Sequence, residues 1–176
     1  MKSEEKIAAA FEELLKTKSL DSVTVSEIMK KAGVSRSVFY KHFKDKYDLM
    51  NWIYRHEIEE RVAFCGIPDW HGRGIICFNY IKEKRDYFSK IGKYKEQNNF
   101  INFIFDYSYS TMSTHLKQIL KTDPLPFEID YSLKLYCAEI KYIVEDWFNT
   151  GMKRSPEMIM HLSENNIPLL LSKYYK

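Results

Sequence analysis

The chain has 176 residues, enough for one domain or two small ones, and is 45% hydrophobic and 29% charged, which excludes a disordered polymer. No apolar run approaches the ~18 residues of a membrane span. The net charge of +3 is unevenly placed: residues 24–46 hold six basic against two acidic side chains, net +4 in 23 residues, while the other 153 residues carry −1. Such a patch is either a solvated helix face or a footprint for phosphate.

The N-terminus carries acids where a secretory leader needs a basic and then an apolar run, so a cytoplasmic location is expected. Cys65, Cys77 and Cys137, odd in number and far apart, are no disulfide framework and fit a reducing compartment. Glycine and proline are scarce, hairpin dipeptides are absent, and apolar residues recur at helical spacing almost throughout. An all-α fold is therefore expected.

The spacing of Ile7, Ala10, Phe11, Leu14 and Leu15 predicts a helix over 4–18. Thr24 followed three residues later by Glu27 has the form of a capping box. It opens a short helix that ends at Ala32-Gly33, where glycine can take the left-handed conformation. Ser35 is a cap for a helix over 36–43. Asp45 caps a longer one to about 64, with Leu49, Trp52, Ile53 and His56 as its inner stripe. Residues 65–74, with three of the six glycines, are the best candidate boundary. Further helices are expected over 74–91, 97–121 and 127–150, then from Ser155-Pro156, with a break at Pro168.

Two short helices joined by a glycine turn inside a basic patch make a helix-turn-helix candidate. Ile28, Ala32, Val34, Phe39 and Phe43 pack it. Arg36, Ser37 and Lys41 face outward, where the second helix can reach base edges in a major groove. Val38 either joins the core or meets a thymine methyl. Thr24 or its neighbouring N–H stands at a helix N-terminus that suits phosphate.

The sequence Thr24-Val25-x-x-Ile28-x-x-x-Ala32-Gly33-Val34-Ser35-x-x-x-Phe39-Tyr40-x-His42-Phe43-x-x-Lys46-x-x-Leu49 resembles the DNA-binding domain of the TetR family of bacterial transcriptional regulators, over about residues 5–55. Trp147-x-x-x-Gly151-x-x-x-Ser155-Pro156-Glu157 agrees with a signature joining the family's two dimerisation helices. The stretch Glu83 to Phe88 resembles a Gram-positive subgroup that includes regulators of dihydroxyacetone kinase operons.

The resemblance implies an N-terminal three-helix DNA-binding domain (1–50) and a C-terminal helical effector-binding and dimerisation domain (51–176). It implies DNA contacts at Thr24, Ser35, Arg36, Ser37, Tyr40, Lys41, His42, Lys44 and Lys46, with Tyr40, His42 and Lys46 on phosphate. The implied partners are a near-palindromic double-stranded operator and a second copy of the chain. Leu133, Tyr136, Ile140, Ile143, Trp147, Met158, Ile159 and Leu162 are its candidate dimer residues, and some of them must also serve the core.

Aromatic residues make up 15% of the chain and gather before and within 97–121, Tyr94 among them. They either fill an ordinary core or line a pocket for a small apolar or aromatic effector, with Tyr80, Asn102, Phe103, Tyr107, Tyr109 and His115 as its candidate residues. A repressor released by such an effector is the leading expectation; a member without a pocket, acting with a protein partner as a coactivator would, is the alternative. No enzyme is expected: glycine-rich phosphate loops, G-x-S-x-G, H-E-x-x-H and paired CxxC motifs are all missing. A helical enzyme or storage protein that merely contains the motif fits the charge map poorly. No cofactor or metal is expected, although Cys65, His71 and Cys77 could form a metal or redox sensor.

Overall fold

A computed structural model describes residues 2–66, 69–92 and 99–175, and the regular elements among them are all helical. Tyr94 lies outside the described residues. The head is built from α1 (Ser3–Thr17), α2 (Val25–Ala32) and α3 (Arg36–His42), seated on the start of α4 (Lys46–Cys65). Their starts are local chemistry. The Thr24 hydroxyl accepts from the Glu27 N–H at 3.3 Å, and the Glu27 carboxylate takes the Thr24 N–H at 3.0 Å. Ser35 accepts from the Val38 N–H, and Asp45 from those of Tyr47 and Asp48. Gly33, at φ 66°, ends α2 in the left-handed region, which any side chain would strain.

Ile7, Phe11 and Leu15 of α1 are buried with Ile28, Phe39, Phe43 and Leu49. Each such burial is worth roughly 1.5–3 kcal/mol, so short helices that could not persist alone are held by packing. The buried stripe of α4 differs from the expected one. Leu49, Met50, Ile53, Tyr54, Ile58 and Val62 turn inward, while Trp52 and His56 stack on each other, half-exposed, at 4.6 Å. Two flanks of α4 are covered, by the head and by the body, so one narrow stripe does not describe it.

The body comprises α5 (Trp70–Glu83), α6 (Arg85–Ile91), α7 (Phe100–Leu120), α8 (Phe127–Asn149), α9 (Pro156–Asn165) and α10 (Leu169–Ser172). α7 packs along α8 and α5 along α9, while α4 reaches α1, α5 and α7. The helix expected over 74–91 is two. Asp69 accepts the Gly72 N–H at 2.7 Å and starts α5 at Trp70, ahead of the glycines. The chain then bends at Lys84 (φ −95°, ψ 31°). No glycine or proline marks that bend; it turns α6 against α1 while Tyr80, Phe88 and Ile91 stay fully buried. A Cβ on Gly92 would lie 2.0 Å from the Phe148 ring, so this close approach needs glycine.

Three contacts tie α1 to its surroundings. His42 of α3 faces Glu4 at 3.7 Å. Lys84 pairs with Glu12 at 3.3 Å. Lys90 of α6 donates to the carbonyls of Leu15 and Lys16, at the positive-seeking C-terminal end of the helix.

Candidate nucleic-acid interface

The solvent face of α3 carries Arg36, Ser37, Tyr40 and Lys41, all exposed, with Lys44 just beyond its end. Phe39 and Phe43 on the opposite side are buried. The Arg36 guanidinium lies over the Tyr40 ring, 5.3 Å from its centroid. A cation held against an aromatic face keeps its planar donor fork oriented. The Ser35 and Ser37 hydroxyls are 2.9 Å apart, so each is already part of a hydrogen bond at the start of the helix. Val38 is half-buried.

Three candidate contacts are differently disposed from the sequence expectation. Thr24 commits its hydroxyl and its N–H to Glu27. That carboxyl is held down at about 2, first by Lys18, then by Thr24, so a charged acid stands beside the Thr24 hydroxyl. His42 is half-buried and turned toward Glu4. Lys46 points inward: its ammonium donates to the carbonyls of Leu20 at 2.8 Å, Asp21 at 3.2 Å and Val23 at 2.9 Å. All three of its protons are thereby used, closing the turn between α1 and α2 rather than facing outward.

The aromatic cluster of the body is mostly filled core. Tyr54 meets the rings of Tyr80, Phe88, Phe100, Phe103 and Tyr107 at centroid distances of 5.2–6.2 Å. An internal cavity of about 50 Å³ remains, bounded by Tyr54, Cys77, Phe78, Ile104, Ile140 and Val144 among others. Of the six expected pocket residues only Tyr107 reaches it. Tyr80 is buried beside Phe88. Phe103 lines an outer groove, Asn102 accepts from Lys141 at 2.7 Å, Tyr109 donates to Asp130, and exposed His115 lies against Tyr175. Residues around a helix that is buried on several sides diverge to different neighbours.

At the mouth of the cavity sits a network the sequence did not signal. Arg73 of α5 donates to Glu59 of α4 and to the Tyr107 hydroxyl of α7 at 2.7 Å, and Tyr107 donates to Glu59 at 2.9 Å. Burial pushes the thiol of Cys77 up, as it does the phenol of Tyr107. Cys65 is exposed and His71 pairs with Glu164, so the residues considered for a sensor do not share a site. Among the described residues no three His, Cys, Asp or Glu side chains form a group fit to hold a metal. No helix of the described residues is long and apolar enough to cross a membrane.

The expected dimer stripe is also redistributed. Leu133, Tyr136, Ile140, Trp147 and Ile159 are buried within the chain. The Tyr136 hydroxyl meets Ser163, and the Trp147 indole donates to the Arg154 carbonyl at 3.0 Å. Ile143 is half-buried, and only Met158 and Leu162 stand exposed. On α8 the opposite stripe is the exposed one: Tyr131, Leu135, Ala138 and Tyr142, spaced by four, three and four residues. A helix apolar on two faces shows its period without showing which face covers the core.

Compared with known proteins, residues 7–53 match the bacterial regulatory proteins of the tetR family, and residues 69–168 match a transcriptional regulator C-terminal region of TetR type. The chain is 27% identical over 86 residues to the HTH-type dhaKLM operon transcriptional activator DhaS of Lactococcus lactis subsp. lactis (strain IL1403). That match spans 48% of this chain and 46% of the relative, less than half of its length. Among solved structures, the dihydroxyacetone kinase operon activator DhaS shares the fold, with a TM-score of 0.65 and 21% identity over 99% of this chain and 98% of that one.

Proposed function

Because the chain belongs to the TetR family of bacterial transcriptional regulators, we propose that it acts as a homodimer placing two copies of α3 in the major groove of a near-palindromic operator. The observation that carries this reading is the capped, glycine-turned α2–α3 pair. It sets Arg36, Ser37, Tyr40 and Lys41 on one exposed face over a buried Phe39 and Phe43. Arg36 reads a base, since its fork matches the O6 and N7 of guanine. Lys41, Lys44 and Tyr40 hold phosphate, which positions without specifying.

The dimer forms through the exposed apolar residues of α8 and α9, Tyr131, Leu135, Ala138, Tyr142, Met158 and Leu162. These helices pack together, and the same patch on two copies can close on itself about a two-fold axis. That axis sets the recognition helices about one DNA turn, ~34 Å, or a multiple apart. Both matches carry the name DhaS, an operon activator, which favours activation over the repression expected from the sequence.

The body narrows the effector. A cavity of about 50 Å³ is far below the ~300–1,000 Å³ of ordinary small-molecule sites. That cavity does not hold a bulky apolar or aromatic effector, which favours a very small molecule or a protein partner as the signal. The DNA reading is tested by gel shift of the full chain on the promoter upstream of its own gene. Binding should be tight, and should weaken steeply as salt rises. Equal affinity for promoter and unrelated DNA at every salt concentration would refute it.

A further inference from the structure

We infer that the Arg73 network is the receptor for a short-chain monocarboxylate, whose head takes the place of Glu59 on Arg73 and whose tail enters the inner cavity. This rests on the regulator reading above and names the ligand that the body can take.

Three observations converge. First, the Arg73 side chain is only 17% exposed, whereas its carboxylate partner Glu59 is 52% exposed. A guanidinium so far from water needs an anion, but one that is half in water is held weakly and is easily exchanged. Second, Arg73, Tyr107 and Thr111 line both the inner cavity and an open groove on the surface. The groove also carries Arg55, whose guanidinium stands 5.9 Å from the Phe103 ring centroid. The groove also carries Glu59 and Asp106, so an arriving acid binds only by displacing Glu59 from Arg73, where the phenol of Tyr107 can donate to it as it now donates to Glu59. The planar fork of arginine takes a carboxylate through paired hydrogen bonds. Third, the space behind Arg73 is mostly apolar, walled by Phe78, Ile104, Ile140 and Val144, with Trp70, Ser108 and Ser163 as its polar lining.

The volume selects the tail. About 50 Å³, at roughly 10–15 Å³ for each water-sized group, admits a tail of about three to five atoms. Benzene needs a cavity of ~150 Å³, so aromatic acids do not fit.

Occupation has a direct structural consequence. Glu59, Arg73 and Tyr107 belong to α4, α5 and α7. A ligand that takes over Arg73 removes the polar link of α4 to α5 and α7, while the ring packing of Tyr54 remains. α4 begins at Lys46, directly after the recognition helix, so the head is informed through this element.

The test titrates the full chain with sodium butyrate at constant ionic strength, followed by calorimetry and thermal shift. Affinity should rise about fourfold for each methylene from acetate to propionate to butyrate, then fall for octanoate and benzoate. Inorganic phosphate and 1-butanol should bind far more weakly than butyrate. Glu59→Gln, a change at an exposed side chain, should bind butyrate several-fold tighter because the competing carboxylate is gone, while Arg73→Met should lose the site. No saturable butyrate binding by either the parent or Glu59→Gln would overturn the assignment. So would unchanged butyrate affinity in Glu59→Gln, or phosphate binding as tightly as butyrate. A parallel gel shift separates the two levels. Promoter binding retained without carboxylate binding defeats only the ligand assignment, and loss of promoter binding by the parent chain defeats the regulator reading itself.

Discussion

Replacing Lys46 by Met tests whether this lysine builds the head or touches DNA. Its ammonium spans three carbonyls, and the two part-buried bonds, to Leu20 at 2.8 Å and Val23 at 2.9 Å, matter most. The third, to Asp21, is exposed, and water can replace it. Charge-assisted hydrogen bonds contribute about 1.5–3 kcal/mol each when well shielded. Discounted for the half-exposed lysine, the pair contributes about 2–3 kcal/mol. For a chain of this size that lowers the melting temperature by roughly 5–10 °C. DNA affinity should fall because the turn between α1 and α2 loosens. The dependence of log K on log salt, however, should keep its slope. A phosphate contact would behave in the opposite way: its loss reduces the slope by about 0.9 per protomer, nearly two for a dimer, and leaves the melt alone. Circular-dichroism melts and anisotropy titrations at several salt concentrations measure both quantities. A slope reduced by nearly two with an unchanged melt would refute the inward role of Lys46.

Arg36→Ala should cost about 1–3 kcal/mol and relax preference at one base per half-site, read by binding to operator variants. Tyr40→Leu removes the ring beneath Arg36 and should relax the same base, while Tyr40→Phe should keep that preference and weaken binding uniformly, as loss of a phosphate contact does; undiminished binding by Tyr40→Phe would remove the hydroxyl from phosphate. Leu135→Glu, on the exposed face of α8, should give a helical monomer by light scattering, whereas Leu133→Glu should prevent folding. A dimeric Leu135→Glu protein would remove that face from the interface. Glu27 has a folded-state pKa of about 2 against an ordinary 4.5. A lowered carboxyl pKa stabilises the head above about pH 4.5, and that stability is lost as pH falls from there through about 2. Acid melts of Glu27→Gln should show a smaller loss across this window than those of the parent chain.

Most of the head was legible because its determinants are local. A hydroxyl three residues before an acid, a glycine after an alanine and an aspartate before a helix act within one turn of chain, and Thr24, Gly33, Ser35 and Asp45 do what their positions imply. The features that were not legible depend on partners far along the chain. Lys46 occupies the same sequence position whether its ammonium meets a phosphate or the carbonyls of residues 20–23. The bend at Lys84 has no local breaker and arises from where Phe88 and Ile91 must be buried. Leu133 and Leu135 are equally apolar, and only the packing of α7, α9 and α10 around α8 decides which is core. The Glu59–Arg73–Tyr107 network joins residues 14 and 34 positions apart, and no spacing rule connects them.

The three tethers of α1 give the head a mechanical property. A 15-residue helix is a rod of roughly 22 Å, stiff compared with the loops at its ends. One end touches α3 through Glu4 and His42, its middle is pinned by Lys84, and its far end is gripped by Lys90. A push on α6 therefore travels along a strut rather than through a hinge. Salt weakens the exposed Lys84–Glu12 pair but not the buried Ile7, Phe11 and Leu15 that seat the strut, so ionic strength loosens the grip on DNA sooner than it softens the linkage that steers it.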